Sequence, residues 1–128
     1  MSKEQKLFEQ AHSAGMRAAE EKRPTPMIVK DESSGEEWHI PGGVCGFASV
    51  IIKPARGKFV NFLKSKFGEH LRDHSRLGFY CGKPYYGGLS LSCFLFGHSM
   101  ELKEAYCRAF ALVLNGSGLK AYCESRMD

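Results

Sequence analysis

The sequence has no long apolar run, no leader-like start and no paired-cysteine motif, and each absence narrows the class of protein. The longest nearly unbroken apolar stretch covers residues 44–52, which is far too short to span a bilayer. The polar start leads us to expect no secretory signal. None of the five cysteines forms a Cys-x-x-Cys pair, and an odd number favours reduced thiols over a disulfide framework. We therefore predict a cytoplasmic protein that does not associate with membranes.

The sequence also lacks a catalytic or metal-binding signature. The segment Lys-Pro-Ala-Arg-Gly-Lys at residues 53–58 has neither the glycine spacing nor the final Lys-Ser/Thr of a Walker loop. His70 and His74 would share one helix face, but no third metal ligand follows at a recognisable spacing. Cys45 has no neighbour in sequence that would activate it as a nucleophile. We predict no catalytic residue, no metal site and no cofactor, although an enzyme is not excluded.

What the chain does contain is the composition of an ordinary globular domain. It has 128 residues, of which 43% are hydrophobic and 25% charged. That length is enough to bury a core without disulfides or metals. We therefore predict a single globular unit, in which residues 1–41 pack as an appendage on a core domain of residues 42–128.

The appendage is predicted to contain a helix followed by two short strands. A helix over residues 2–22 is indicated by small and apolar side chains that recur every three or four positions. Residues 26–31 and 38–40 have the pattern of short extended segments. Because an apolar stripe has to be buried, we expect the helix to cover surface on the core or on a second copy of the chain. The predicted stripe consists of Leu7, Ala11, Ala14 and Ala18.

The core has the predicted order strand, helix, strand, strand, helix, strand. This βαββαβ order is that of the ferredoxin-like two-layer sandwich, an α+β fold in which the first and third strands are central neighbours. The predicted strands cover residues 44–53, 77–81, 85–96 and 119–123, and the predicted helices cover residues 55–67 and 99–114. The second helix is predicted to bury Leu102, Ala105, Tyr106, Ala109, Leu112 and Val113.

Strand alternation separates one face of the predicted sheet that mixes aromatic rings with hydroxyls. Alternate residues of a strand point to opposite faces, so the side away from the two core helices can be identified from the sequence. Exposed aromatic rings on such a sheet can stack nucleic-acid bases. The alternative is that residues 1–41 or a second copy of the chain cover this face. The residues assigned to it are Phe47, Ser49, Tyr86, Ser90, Ser92 and Phe94.

The middle third of the chain is strongly basic. Residues 41–83 contain eight Lys/Arg and two Asp/Glu, a net charge of +6, whereas residues 1–40 have a net charge of −2 and residues 84–128 are neutral. Cations crowded at a helix N-terminus favour a visiting anion such as phosphate. The alternative is a solvated cationic face that favours solubility. The predicted anion-binding or nucleic-acid-binding residues are Lys53, Arg56, Lys58, Lys64 and Lys66.

Three segments resemble a family of small uncharacterised proteins of tailed bacteriophages. They are Pro-Gly-Gly-Val-Cys-Gly-Phe-Ala at residues 41–48, Ser-Met-Glu-Leu-Lys-Glu-Ala-Tyr at residues 99–106 and Ser-Arg-Met-Asp at residues 125–128. The resemblance extends from about residue 26 to the end. It implies a phage gene product that acts in the host bacterial cytoplasm or in the virion, and it implies no activity.

Three functions are consistent with these patterns. The first is a non-enzymatic binding protein that engages nucleic acid or another polyanion through the basic helix N-terminus and the sheet face. The second is a protein–protein interaction factor, either a host-directed phage effector or a virion accessory protein, which would bind an acidic protein surface or form a homo-oligomer through the aromatic face. The third is a nucleotide-ligand binder or small enzyme with an anion site at Arg56 and Lys58.

Overall fold

The computed structural model describes residues 2–22, 27–30, 35, 37–40, 46–67, 79–84, 86–96 and 99–127. These residues form a mixed α+β fold, as the sequence predicts. The helices are α1 (Lys3–Glu21), α2 (Lys58–Phe67) and α3 (Met100–Gly116). The strands are β1 (Met27–Lys30), β2 (Glu37–Ile40), β3 (Gly46–Lys53), β4 (Phe79–Gly82), β5 (Leu89–Cys93) and β6 (Lys120–Met127).

Four strands form one antiparallel sheet in the order β4-β5-β3-β6. β3 lies between β5 and β6, and its central residue Val50 is opposite Leu91 on one side and Cys123 on the other. The prediction that the first and third core strands are neighbours is therefore confirmed. β1 and β2 pair with each other in a separate two-stranded sheet, with Met27 opposite Ile40.

The hydrophobic core lies between one face of this sheet and the helices. Every second residue of β3 points into it, namely Ala48, Val50 and Ile52, each at most 2% exposed. Helices α1 and α3 are capped by serines, since Ser2 Oγ accepts from Gln5 N in α1 and Ser99 Oγ accepts from Leu102 N in α3. All three helices contribute buried side chains to this single cluster, so they share one side of the sheet.

Helix α1 packs on the helical side of the sheet. Its buried residues are Phe8, Ala11, Gly15 and Ala19, which form a stripe turned relative to the predicted one. The Phe8 ring lies 5.4 Å from the Phe67 ring and 5.8 Å from the Phe110 ring, between centroids. Phe8 is the largest apolar side chain of the helix and sets its orientation. Of the two candidates for a cover on the opposite, hydroxyl-rich face, residues 1–41 and a second copy of the chain, helix α1 therefore does not take this role.

Helix α3 buries a different stripe from the predicted one. Its buried residues include Lys103 and Cys107, whereas Leu112 is 70% exposed. The sequence pattern placed Lys103 outside because charged side chains usually face water. In the structure, Lys103 Nζ donates to the Gly46 carbonyl at 3.1 Å, so this charged group has a partner inside the protein.

Several element boundaries also differ from the predicted ones. α2 begins at Lys58, because the preceding Gly57 has a φ of 111° and lies outside the helix. β5 begins only at Leu89, because Gly87 and Gly88 have φ of 91° and 88° and form a turn. β6 continues to Met127, because it pairs with β3 over the whole length of both strands. Residues 41–45, 68–78 and 85 lie outside the described residues, and so do the predicted Cys45, His70 and His74.

Candidate functional site

The face of the sheet opposite the helices contains a groove of about 460 Å³. We call it the open-face groove. All six residues that the sequence assigned to this face line it: Phe47, Ser49, Tyr86, Ser90, Ser92 and Phe94. They come together because β3 and β5 are paired in register, with Ser49 opposite Ser92 and Ile51 opposite Ser90.

Aromatic rings are exposed around this groove. Phe47 and Phe94 are 40% and 41% exposed, and both line it. Tyr86 is 37% exposed in the groove wall, and Tyr122 is 42% exposed on the neighbouring strand β6. Single exposed apolar residues are common on protein surfaces, whereas several large rings exposed together on one face often mark a binding surface.

The lining of the groove mixes polar and apolar groups. Ser49 Oγ and Ser92 Oγ form a cross-strand hydrogen bond of 3.0 Å. The Tyr86 hydroxyl donates to the Glu124 carboxylate, which holds that side chain in the groove wall. Ile51 lies between these polar groups and is 1% exposed. The groove therefore offers hydroxyls and a carboxylate beneath an aromatic rim.

Cations lie against the aromatic rings at both ends of the face. Lys53 Nζ lies 5.6 Å from the centroid of the Tyr86 ring and 5.8 Å from that of Tyr122. At the other end, Arg126 Cζ lies 5.4 Å from the centroid of the Phe47 ring. The buried Lys103 Nζ lies 5.5 Å from the same ring. These distances are within the range of cation–π contacts, so Lys53 and Arg126 accompany the aromatic rings of the face, while the Glu124 carboxylate also lines the groove.

The basic turn between β3 and α2 continues from Lys53. Arg56 and Lys58 are both exposed there. The first α-helical bond of α2 runs from Asn61 N to the Gly57 carbonyl, so the amides of residues 58–60 have no partner within the helix. These amides and the two cations are a suitable environment for a phosphate group.

The other two predicted cations lie elsewhere. Lys64 Nζ donates to the carbonyl of Ala55 at 3.4 Å, within the turn and helix themselves. Lys66 Nζ lies 4.9 Å from the centroid of the Phe8 ring, where α1 meets α2. Lys66 therefore faces the helical layer, and the five cations predicted as one patch are distributed over two sides of the fold.

Sequence reasoning missed the contribution of β6. Tyr122, Glu124 and Arg126 are alternate residues that point to the open face, and the last two line the groove. The predicted strand ended at Cys123, so this alternation was not followed to its end. Glu124, Ser125 and Arg126 are three consecutive polar residues, so the polar–apolar alternation stops at Cys123 and the sequence pattern does not indicate the rest of the strand.

In the described part of the chain, no group of three His, Cys, Asp or Glu side chains is arranged to hold a metal ion. No helix there is both long enough and apolar enough to cross a bilayer. Comparisons with protein-family models, curated proteins and solved structures found no significant match to this chain. The fold and the groove define an α+β protein whose sheet is covered by helices on one side and exposes aromatic rings on the other.

Proposed function

We propose that this protein binds single-stranded nucleic acid on the open face of its sheet. The observation that carries the proposal is the set of exposed rings with cations against them, around one groove. Phe47 and Tyr86 lie at opposite ends of the groove. A basic side chain, Arg126 or Lys53 respectively, lies within 6 Å of each ring centroid. Every base has an aromatic face, so such rings bind single strands by stacking, and cations add attraction to the phosphates.

The spacing of the rings suits more than one base. Phe47 and Tyr122 are separated along the sheet by four strand positions, since Tyr122 is opposite Ile51. At about 3.3 Å per residue this is roughly 13 Å. Sheets of RNA-recognition domains stack two or three bases over such a surface. The groove between the rings supplies the hydroxyls of Ser49 and Ser92 for contacts with base edges or sugars.

The basic turn extends this surface for the nucleic-acid backbone. Lys53 belongs both to the aromatic face and to the turn, so it connects the rings with Arg56 and Lys58. A strand that stacks on the face would then place a phosphate near the first-turn amides of α2. Duplex nucleic acid has no splayed bases for the rings, so we expect a preference for single strands.

The experiment that tests this proposal removes rings from the groove. Replacing Phe47 and Phe94 together with alanine should weaken the binding of a fluorescein-labelled oligothymidylate or oligouridylate. Each stacked base contributes about 1–3 kcal/mol, so the dissociation constant should rise by at least about tenfold. Both side chains are already about 40% exposed, so the fold should tolerate the change. Fluorescence anisotropy titrations at low salt measure the effect.

Leu112→Ala is the matched control, because Leu112 is a large exposed apolar residue on α3, in the helical layer. The Leu112→Ala variant should bind the labelled oligonucleotide with the same affinity as the wild-type protein. If the wild-type protein binds neither single nor double strands at low salt, the proposal is wrong, and protein–protein interaction becomes the better interpretation of the aromatic face. Equal losses in the control and the groove variant would show that binding does not use the groove.

Two finer assignments belong to the same proposal. The order of elements from β3 to β6, with β3 and β5 in the centre of the sheet, supports a ferredoxin-like sandwich for residues 46–127. The resemblance of residues 41–48, 99–106 and 125–128 to proteins of tailed bacteriophages supports a phage gene product. Its place of action would be the host bacterial cytoplasm or the virion.

A further inference from the structure

A polar row of side chains crosses the open face of the sheet between two rows that contain aromatic rings. In the polar row, Glu124 of β6 is opposite Ser49 of β3, which is opposite Ser92 of β5. Phe47 of β3 and Tyr122 of β6 belong to the neighbouring rows, two strand positions away on either side. Two positions correspond to roughly 7 Å. Because a base extends beyond the ring on which it stacks, a base on either ring has one edge over the polar row.

Glu124 contributes a carboxylate to this row. Its side chain is exposed and lines the open-face groove. The Tyr86 hydroxyl donates to its Oε2 atom, and no described residue donates a hydrogen bond to its Oε1 atom. An ionised carboxylate has about four acceptor positions and no donor. Tyr86 therefore orients a carboxylate that still has acceptor positions for a ligand.

The bases of a nucleic acid differ in what they offer to a carboxylate. The Watson–Crick edge of guanine has two adjacent donors, the N1–H and the N2 amino group, which match the two oxygens of one carboxylate. Adenine and cytosine have a ring-nitrogen acceptor beside the amino group, and uracil has a carbonyl oxygen on each side of its N3–H. With these three bases, the second carboxylate oxygen would meet a lone pair. Proteins that read single-stranded RNA do so by hydrogen bonds to such edges.

Arg126 places a donor next to this acceptor. It is two positions from Glu124 on the same face of β6 and also lines the groove. Its register partner is Phe47, so Glu124 is the diagonal neighbour of that ring and lies within the reach of large side chains. In guanine the O6 acceptor follows the N1–H along the same edge. A carboxylate beside a guanidinium therefore matches the order donor, donor, acceptor.

We propose that the open-face groove selects guanine among the bases of a single strand, and that Glu124 is the residue that determines this preference. The inference rests on the proposed binding of single strands to this face and adds which base the face prefers. A ring beside the polar row stacks the base, the Glu124 carboxylate accepts from its N1–H and N2 amino groups, and Arg126 donates to its O6 atom. Tyr86 is a positioning residue, because it acts through the carboxylate.

Anisotropy titrations with matched short RNAs test the preference in the wild-type protein. The probes are a fluorescein-labelled octauridylate and the same octamer with one central guanosine, adenosine or inosine. The guanosine octamer should bind about five- to 150-fold more tightly than octauridylate, the range of one two-bond contact to a base. It should also exceed the adenosine octamer, which controls for the stronger stacking of a purine. Inosine lacks the N2 amino group, so its octamer should fall between guanosine and uridine.

Glu124→Gln tests the assigned residue. A glutamine carbonyl still accepts from the Tyr86 hydroxyl, but the other group of its amide is a donor, which opposes the guanine N1–H. The preference for guanosine over adenosine should therefore disappear. The affinity for octauridylate should rise, because a negative charge is removed from the surface that binds phosphates. Glu20→Gln is the matched control, because Glu20 is exposed on α1, and its preference should equal that of the wild type.

The outcomes separate this inference from the function on which it rests. If all four octamers bind the wild-type protein equally well, the face binds single strands without selecting guanine and the inference is wrong. An inosine octamer that binds as tightly as the guanosine octamer would exclude the contact with two donors. A preference for guanosine that persists in Glu124→Gln would show that another residue reads the base. If no octamer binds at low salt, the proposed function itself fails.

Discussion

His12 is the polar side chain through which α1 contacts the centre of the helical layer. Its Nδ1 atom lies 2.6 Å from the Tyr106 hydroxyl. Its ring centroid lies 6.0 Å from that of Phe8 and 6.0 Å from that of Phe79. Burial, and then the positive charge of Lys66, lowers the pKa of His12 below its usual value of 6.5. Burial also raises the pKa of Tyr106, so its hydroxyl stays protonated and shares a hydrogen bond with the neutral imidazole.

This pair predicts a loss of stability in mild acid. Below about pH 6.5 the unfolded chain binds a proton at His12 that the folded protein accepts only at lower pH. The free energy of unfolding should therefore fall as the pH drops through this window, and the loss should end below the folded pKa. Urea denaturation midpoints between about pH 7.5 and pH 5 measure it. His12→Asn keeps an acceptor near Tyr106 but does not titrate, so its midpoint should change less. An identical pH profile in the variant would contradict the assignment.

At the scale of elements, α1 and α3 meet where Gly15 faces the ring of Tyr106. A Cβ atom added to Gly15 would lie 2.5 Å from Cδ2 of that ring. The ring has little freedom to move, because Tyr106 is 1% exposed and its hydroxyl contacts His12. The missing side chain is therefore what allows the two helices to approach this closely.

Gly15→Ala should destabilise the protein although alanine is the better helix former. Overpacking a core costs about 1–3 kcal/mol, and the gain in helix propensity is about 1 kcal/mol. We expect a net loss of up to about 2 kcal/mol in the free energy of unfolding, measured by urea denaturation.

Gly116→Ala is the matched control for this substitution. Gly116 also belongs to a helix, and a Cβ there would have nothing within 4 Å. The Gly116→Ala substitution should leave the free energy of unfolding unchanged or raise it by up to about 1 kcal/mol. If both variants gained stability, the contact between Gly15 and Tyr106 would not limit the approach of the helices.

At the scale of the whole molecule, local sequence patterns predicted the elements and the composition of the open face. Strand alternation has a fixed period of two, so Phe47 and Ser49 could be assigned to one side without knowledge of the fold. The side on which α1 docks was not predictable in this way, because periodicity gives the apolar stripe of a helix but not its partner. Lys103 was misplaced because its partner is a backbone carbonyl far away in sequence.

The charge distribution of the molecule leads to a prediction about salt. If Arg56 and Lys58 bind phosphates, replacing both with alanine should weaken nucleic-acid binding. The slope of log affinity against log salt should become shallower by about 0.7 for each phosphate of a single strand that the variant no longer neutralises. Stability without ligand should hold or rise slightly, because cations at a helix N-terminus oppose the helix dipole. Anisotropy titrations at several salt concentrations measure the slope.

The control is a double variant that removes two positive charges from the helical side of the sheet. Lys6 and Arg17 are exposed on α1, which packs on the helical side of the sheet. Replacing both with alanine should reduce affinity only through the weaker long-range attraction and leave the slope nearly unchanged. Identical slopes for the two double variants would show that the basic turn does not bind phosphate.

The end of α3 has a consequence for how the molecule behaves at high concentration. Asn115 bonds Ala121 twice, since its amide group donates to the Ala121 carbonyl and accepts from the Ala121 N–H, both at 2.8 Å. Both backbone groups therefore point away from β3, toward the outer edge of the sheet that the described residues form. An unpaired edge is a template on which a strand from another molecule can add. The Asn115 side chain already binds the first outward-facing backbone groups of β6, so we expect Asn115→Ala to make edge-to-edge addition of another copy of this protein easier.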